Sequence, residues 1–284
     1  MTLVIWAGGC LRDESEPVIG ATDRGLMVGD GVFETCEVTG GRAFALTRHL
    51  QRLEANARAL GLAPVPTDEV RSAVAAVLDA GGAALGRLRI TVTAGPGPMG
   101  SGRGDSAPTL VVVAGPGRAA ATARVVRVPW ARNERSAIVG LKTTSYAENV
   151  VALARAVAAG ADEALFANTR DELCEGTGSN VFVELDGELL TPSLESGCLA
   201  GISRALLLEW AAQDGLPVRE VDPAHLPYRI LDDISAGRGA LALTSSTRHV
   251  APVVSLDGVE LAVGAVSRAA RELFRERAAL DVDP

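Results

Sequence analysis

Residues 31–46, GVFETCEVTGGRAFAL, carry two β-type runs on either side of Gly40-Gly41. Two adjacent glycines supply the left-handed backbone that a two-residue hairpin turn demands. A hairpin commits its strands to antiparallel pairing, and similar runs recur along the chain. LVIWAGG (3–9), RLRITVTAG (87–95), PTLVVVAG (108–115), RVVRVPW (124–130), DEALFAN (162–168), GSNVFVELDGELLTP (178–192), LPVREVD (216–222), GALALTSST (239–247) and VAPVVSLDG (250–258) all read as strands. Between them lie helical stretches. Along TRHLQRLEANARALGL (47–62) and the residue before it, Leu46, Leu50, Leu53, Ala57 and Leu60 share one face, with Thr47 as N-cap and Gly61 as C-cap. Further helices are expected at 67–80, capped by Thr67, and at 147–159, 202–214, 230–236 and 262–278. AIVGLK (137–142) reads as an apolar strand ending at a lysine. Strands that follow one another through short turns, mixed with helices in both halves, specify an α+β chain rather than a doubly wound sheet. The second half is expected to be mainly antiparallel or barrel-like. Periodicity fades near 114–123. The division is therefore a small α/β N-terminal domain (1–115), a linker (116–123) and a larger C-terminal domain (124–284).

The 284 residues suffice for two domains with true cores, and 48% hydrophobic with 22% charged residues is a globular composition. The net charge of −8, without a basic run, argues against nucleic acid as a partner. There is no signal-like N-terminus and no apolar window of membrane-spanning length, so the expectation is a cytoplasmic protein that does not enter membranes. Cys10, Cys36, Cys174 and Cys198 are widely spaced and read as buried free thiols; His49, His225 and His249 are scattered, so no metal site is expected.

Of the 27 lysines and arginines only Lys142 is a lysine. A guanidinium stays protonated and attacks nothing, whereas a desolvated ammonium can lose its proton and attack a carbonyl. The spacing around it excludes a Ser-x-x-Lys hydrolase pair, because Val139 stands three residues before it. No Gly-x-Ser-x-Gly elbow or Walker A loop occurs, and GSGRG (100–104) lacks a dinucleotide-binding context. Three other features suit a cofactor. Glu175 precedes a glycine-rich turn. Gly201, Ile202 and Ser203 open a helix. Thr244 to Thr247 end a strand in a run of hydroxyls. A helix start with hydroxyls is an anion site. A carboxylate can hold a proton on a pyridine nitrogen, and a lysine can carry an aldehyde. These are the parts that pyridoxal 5′-phosphate (PLP) requires.

Together these residues resemble the class IV aminotransferases, the fold type IV PLP enzymes. The likeness lies in DRGLMVGDGVFET (23–35), HLQRL (49–53), Lys142, EGTGSNVF (175–182) with LLTP, and LAGISR (199–204), and it spans nearly the whole chain. It implies that Lys142 carries the cofactor, Glu175 meets the pyridine nitrogen and Arg52 clamps the phosphate. Gly201, Ile202 and Ser203 then bind phosphate at the helix start, and Ser245 and Ser246 from the second phosphate loop. Tyr146 resembles the tyrosine at the cofactor hydroxyl of branched-chain enzymes, with one loop residue fewer. Family D-amino-acid transaminases place a Tyr where Phe33 stands and an Arg-x-His pair in the loop written here GPGPMGSGRGD; neither is present. By period-two alternation Arg87, Arg89, Thr91 and Thr93 share a strand face. Arg87, Arg89 or Arg248, beside Thr247, could bind a substrate carboxylate, with Arg24 and Arg103 as lesser candidates.

The resemblance implies an aminotransferase. It would move an amino group from a small amino acid or amine (D-amino acid, (R)-amine or branched-chain) to a 2-oxo acid, as a homodimer. GSGRGD also resembles the Gly-Arg-Gly loop of 4-amino-4-deoxychorismate lyase, which releases pyruvate and 4-aminobenzoate. A non-catalytic PLP-binding scaffold is a third reading, against which the retention of both Lys142 and Glu175 argues.

Overall fold

The computed structural model describes residues 3–117 and 120–284. The expected linker at 116–123 contains residues 118 and 119, which lie outside the described residues. The chain forms two compact units. One comprises 1–118 with 141–146 and 282–284; the other comprises 119–140 and 147–281.

In the first unit the elements run β1 (Val4–Ala7), β2 (Cys10–Arg12), α1 (Arg24–Val28), β3 (Gly31–Thr39), β4 (Arg42–Ala43), α2 (Leu46–Ala59), α3 (Thr67–Gly81), β5 (Arg87–Thr93) and β6 (Thr109–Gly115). The sheet order is β2-β1-β6-β5-β3-β4, antiparallel throughout. The β3–β4 hairpin turns at Gly40 (φ 58°) and Gly41 (φ 75°), as the sequence predicts. Alternation along β3 puts Val32, Cys36 and Val38 into a core with Leu50 and Leu53 of α2, Val70, Val74 and Val77 of α3, and Leu88, Ile90 and Val92 of β5. The opposite face of β3 and β5 pairs Phe33 with Thr91, Thr35 with Arg89 and Glu37 with Arg87.

The two expected threonine caps are not used. Ala45, in left-handed conformation (φ 52°), precedes α2 and gives no side-chain cap, while Thr47 lies inside the first turn. Thr67 opens α3, and its hydroxyl goes to Glu54. At the other end of α2 the glycine signal holds, with Gly61 at φ 73°. The short helix α1 has no amphipathic period and escaped the sequence reading; Asp23 caps it by accepting from Gly25 N at 2.8 Å.

In the second unit come β7 (Ala123–Arg132), α4 (Ala147–Ala158), β8 (Glu163–Asn168), β9 (Leu173–Gly176), β10 (Asn180–Leu185), β11 (Glu188–Pro192), α5 (Ile202–Asp214), β12 (Val218–Val221), α6 (Ile230–Ser235), β13 (Ala240–Ser245), β14 (His249–Leu256), β15 (Val259–Glu260) and α7 (Ala265–Leu280). The sheet runs β12-β11-β10-β13-β14-β7-β8-β9, and β9 returns to pair with β10 at Glu175–Asn180. That pair closes six strands, β10-β13-β14-β7-β8-β9, into a ring. The barrel-like expectation is met, with parallel steps at β7–β8, β7–β14 and β11–β12 inside a mainly antiparallel sheet. Leu165, Leu173, Val181, Val183, Leu241, Leu243 and Val253 pack with Leu231 and Ile234 of α6. Trp210 of α5 meets Phe274 of α7 edge-on, 4.9 Å between centroids. Glu184 caps α7 across 82 residues of chain, accepting from Val266 N (3.0 Å), Ser267 N (2.8 Å) and Ser267 Oγ (2.6 Å).

AIVGLK is not a strand. Its residues turn, with Val139 N donating to Ser136 O, and Gly140 takes φ 70°, a conformation no strand continues through. All four cysteines are free, but Cys10 is exposed rather than buried. Among the described residues no helix is long and apolar enough to cross a membrane, and no group of His, Cys, Asp and Glu could hold a metal.

Candidate active site

Lys142 belongs to the first unit, where residues 142–145 run along the start of β3. Phe33 N donates to Lys142 O (3.0 Å), Thr144 N to Gly31 O (2.8 Å) and Ser145 Oγ to Gly29 O (3.0 Å). The approach is close. A Cβ on Gly29 would lie 2.4 Å from Ser145 Oγ, and one on Gly31 would lie 2.8 Å from Val92 O and 3.1 Å from Thr144 Oγ1. The Gly-Asp-Gly of the sequence is therefore a slot for the lysine segment. Asp30, between the glycines, pairs with Arg24 Nε (3.0 Å) and Arg103 Nη2 (2.5 Å), and their charges hold its carboxyl below the usual range, the hydrogen bond from Arg103 foremost. Arg24 is buried and donates to four loop carbonyls, those of Pro98, Gly100, Ser101 and Gly102. Arg103 donates to Leu60 O and Gly61 O. Both guanidiniums thus brace the 96–104 loop.

The Lys142 ammonium lies 4.3 Å from the centroid of the Phe33 ring and 5.5 Å from that of Tyr146. The two rings meet edge to face at 5.2 Å. Arg89 stacks its guanidinium on the same Phe33 ring at 3.6 Å, and its Nε donates to Thr91 Oγ1 (3.1 Å). Lysine and guanidinium therefore share one aromatic ring. Arg87, two residues away, is exposed and faces Glu37 across the strands.

Behind this sheet Arg52 is held by Glu34, Nε to Oε1 and Nη2 to Oε2, both 2.7 Å. His49 Nδ1 meets Glu34 Oε2 at 2.7 Å. Glu34 is fully buried. Burial pushes its carboxyl up, but the Arg52 charge and the hydrogen bonds of Arg52 and His49 outweigh that and bring it to about 2. His49 is driven below its usual value, by burial foremost. Neither residue was singled out from sequence. The available signal was an acid at a core position of an alternating strand, opposite a helix with His49 and Arg52 three apart.

In the second unit Glu175 stands at the strand pair that closes the barrel. Its Oε2 accepts from Leu199 N (2.9 Å), and Arg132 Nε lies 3.2 Å from its Oε1 as an ion pair without hydrogen-bond alignment. Asn180, its strand partner, donates to Leu199 O (2.7 Å). One residue, Leu199, is therefore fixed by both residues of the closing pair, through its N–H and its carbonyl. It leads into Gly201, where a Cβ would fall 1.9 Å from Asn180 Oδ1, and so into α5, which begins without a side-chain cap. Ser203 is buried, and its Oγ has no partner among the described residues; the same holds for Thr244 Oγ1 at the end of β13. Ile202 is buried beside Ser203. After β13 the hydroxyl run turns. Ser245 Oγ accepts from Arg248 N (3.2 Å), and Ser246 and Thr247 are half-buried. Arg248 is committed to buried Glu163, which also accepts from Thr177 Oγ1 (3.0 Å) and Gly178 N (2.5 Å). Sequence reasoning did not single out Arg132, Glu163 or Asn180, whose roles exist only once distant loops meet.

The model of the amino-transferase class IV family matches residues 31–256. The chain is 30% identical to the bifunctional aminodeoxychorismate lyase / D-amino acid transaminase of Mycobacterium tuberculosis, over 91% of this chain and 93% of that one. Among solved structures it is similar to a hypothetical aminotransferase of Mycobacterium tuberculosis in its PLP-bound form (28% identity, TM-score 0.84, all of both chains). It is also similar to the branched-chain aminotransferase of Thermoproteus uzoniensis with norvaline (26% identity, TM-score 0.84, 96% of this chain and 93% of that one).

Proposed function

The chain belongs to the class IV aminotransferase family, and from that membership we propose a PLP-dependent enzyme moving an amino group from a small amino acid or amine (D-amino acid, (R)-amine or branched-chain) to a 2-oxo acid. The observation that carries this reading is the pair on Phe33: the only lysine and Arg89 share one aromatic ring. Lys142 supplies an amine that can become neutral, and Arg89 a planar donor fork that matches a carboxylate.

The residues fit the cofactor. An uncapped helix start with the buried, unpartnered hydroxyls of Ser203 and Thr244 suits a phosphate. Glu175, paired with Arg132, places a carboxyl group that suits a protonated ring nitrogen. Bound there, the cofactor supplies an aldehyde that takes up the amino group and a ring that withdraws electrons from the carbon losing a proton. In this reading Lys142 is the nucleophile that holds the cofactor. As a free amine it would be the base that moves the substrate's Cα proton. Arg52 grips the phosphate with the N–H groups of Ile202 and Ser203 and the hydroxyls of Ser203, Ser245 and Ser246. Tyr146 serves the ring hydroxyl, and Arg89 holds the substrate carboxylate.

A second reading is 4-amino-4-deoxychorismate lyase, favoured by the Gly102-Arg103-Gly104 loop and by the bifunctional mycobacterial relative. The reading also includes a homodimer and, in keeping with four unpaired cysteines, a cytoplasmic location. The test is a panel of D- and L-amino acids and (R)-amines with 2-oxo acids, plus aminodeoxychorismate. Bleaching of the cofactor's visible band by an amino donor alone supports the transaminase. Pyruvate release from aminodeoxychorismate without bleaching supports the lyase. Borohydride treatment that leaves no cofactor mass on Lys142 overturns both.

A further inference from the structure

Helix α2 carries Arg52 but starts poorly. Ala45 offers no side chain to its first turn, and that turn contains no acidic residue. The missing partners come from residues more than 230 positions away. Ala45 N donates to Val282 O (2.7 Å), Thr47 N to Asp283 Oδ1 (2.8 Å), Thr47 Oγ1 to Asp283 Oδ2 (2.6 Å) and Arg48 Nε to Pro284 O (2.9 Å). Residues 282–284 belong to the same unit as α2. The Asp283 carboxylate also places a negative charge at the helix N-terminus, where the backbone dipole favours it. The turn so closed leads directly into His49 and Arg52, the two α2 residues that grip buried Glu34.

We propose that Asp283 is a positioning residue for the phosphate clamp: by closing the first turn of α2 it sets Arg52 in the orientation that takes hold of the PLP phosphate. This rests on the reading of Arg52 as the phosphate arginine. The consequence is selective. Loss of Asp283 weakens affinity for the phosphorylated cofactor and spares affinity for pyridoxal, which has the same ring and aldehyde but no phosphate.

Apo full-length protein is titrated with PLP and with pyridoxal, followed by absorbance, well below its melting temperature. For Asp283→Ala the expected result is a roughly five-fold rise in the PLP dissociation constant, the size of one lost helix cap, with pyridoxal binding unchanged. Asp283→Asn, which keeps the acceptor for Thr47 N, stays within about two-fold of the parent. In an Arg52→Lys background, Asp283→Ala adds nothing. PLP affinity unchanged in Asp283→Ala, or PLP and pyridoxal weakened alike, overturns the proposal while leaving Arg52 as the clamp. If Arg52→Lys itself binds PLP as the parent does, the underlying reading of Arg52 fails and the proposal with it. Should Asp283→Ala not fold, Thr47→Val removes the Oγ1 contact alone, and the same selectivity is read on it.

Discussion

Arg89 and Lys142 meet on Phe33 with different chemistry, and substitutions separate what each does. A guanidinium that holds a carboxylate contributes about 1.5–3 kcal/mol through charge-assisted hydrogen bonds. Arg89→Gln is therefore expected to raise KM for amino acids roughly ten- to a hundred-fold, with KM for an amine lacking a carboxylate unchanged. Equal losses for both substrates would move the anchor elsewhere. Buried ionisable groups set a second expectation. Glu34, lowered from 4.5 to about 2, contributes stability that is complete above pH 4.5 and lost as pH falls toward 2. His49, lowered from 6.5 by burial foremost, takes up a proton less readily in the fold than in the unfolded chain, so stability also falls as pH drops below 6.5. Melting temperature measured from pH 7 to 2 should decline in two stages, and His49→Gln should remove the earlier one. At this scale much was legible. Lys142 stood out as the only lysine, and Glu175 and Ser203 stood out by motif. Glu34 and His49 did not, because a charge becomes informative only when burial and a partner are known.

Elements explain why the glycines around Asp30 matter. Gly40 and Gly41 serve a turn, and their Cβ positions meet open space; Gly31 serves an approach, and its Cβ would press on Val92 O and Thr144 Oγ1. Gly31→Ala is expected to cost about 1–3 kcal/mol in urea unfolding and to lower turnover more than about ten-fold by shifting residues 142–145. Gly40→Ala should cost about 1 kcal/mol through its positive φ alone, with turnover intact. Equal turnover in the two variants would remove the slot from the account. The hairpin at Gly40-Gly41 was readable because local backbone chemistry decides it. The run AIVGLK misled because apolar residues without a free sheet edge need not form a strand, and the lysine segment instead lies along β3. Thr47 misled as a cap because its helix start is completed by Asp283, and no local pattern encodes a partner so distant in sequence.

For the whole molecule, the alternation of strands and helices disclosed the α+β class, but closure of the barrel at Glu175–Asn180 rests on one strand pair that no periodicity announces. Helix α4 shows a related limit. Its length was readable from sequence, yet only the fold reveals that Asn149, Ala152 and Ala156 face inward while Val150, Val151, Leu153 and Val157 remain outside, with Val150 61% and Val157 64% exposed. A helix apolar on both faces is ordinarily covered on both. The expected cover is α4 of a second copy, since two-fold pairing brings the same patch of each subunit together. Sedimentation should therefore give the mass of two chains. Val150→Asp with Val157→Asp should shift the mass to one chain while far-ultraviolet circular dichroism stays at the parent value, because neither side chain contributes to the inward face. A parent protein that sediments as a single chain, or a doubly substituted protein that still pairs, would take α4 out of the interface.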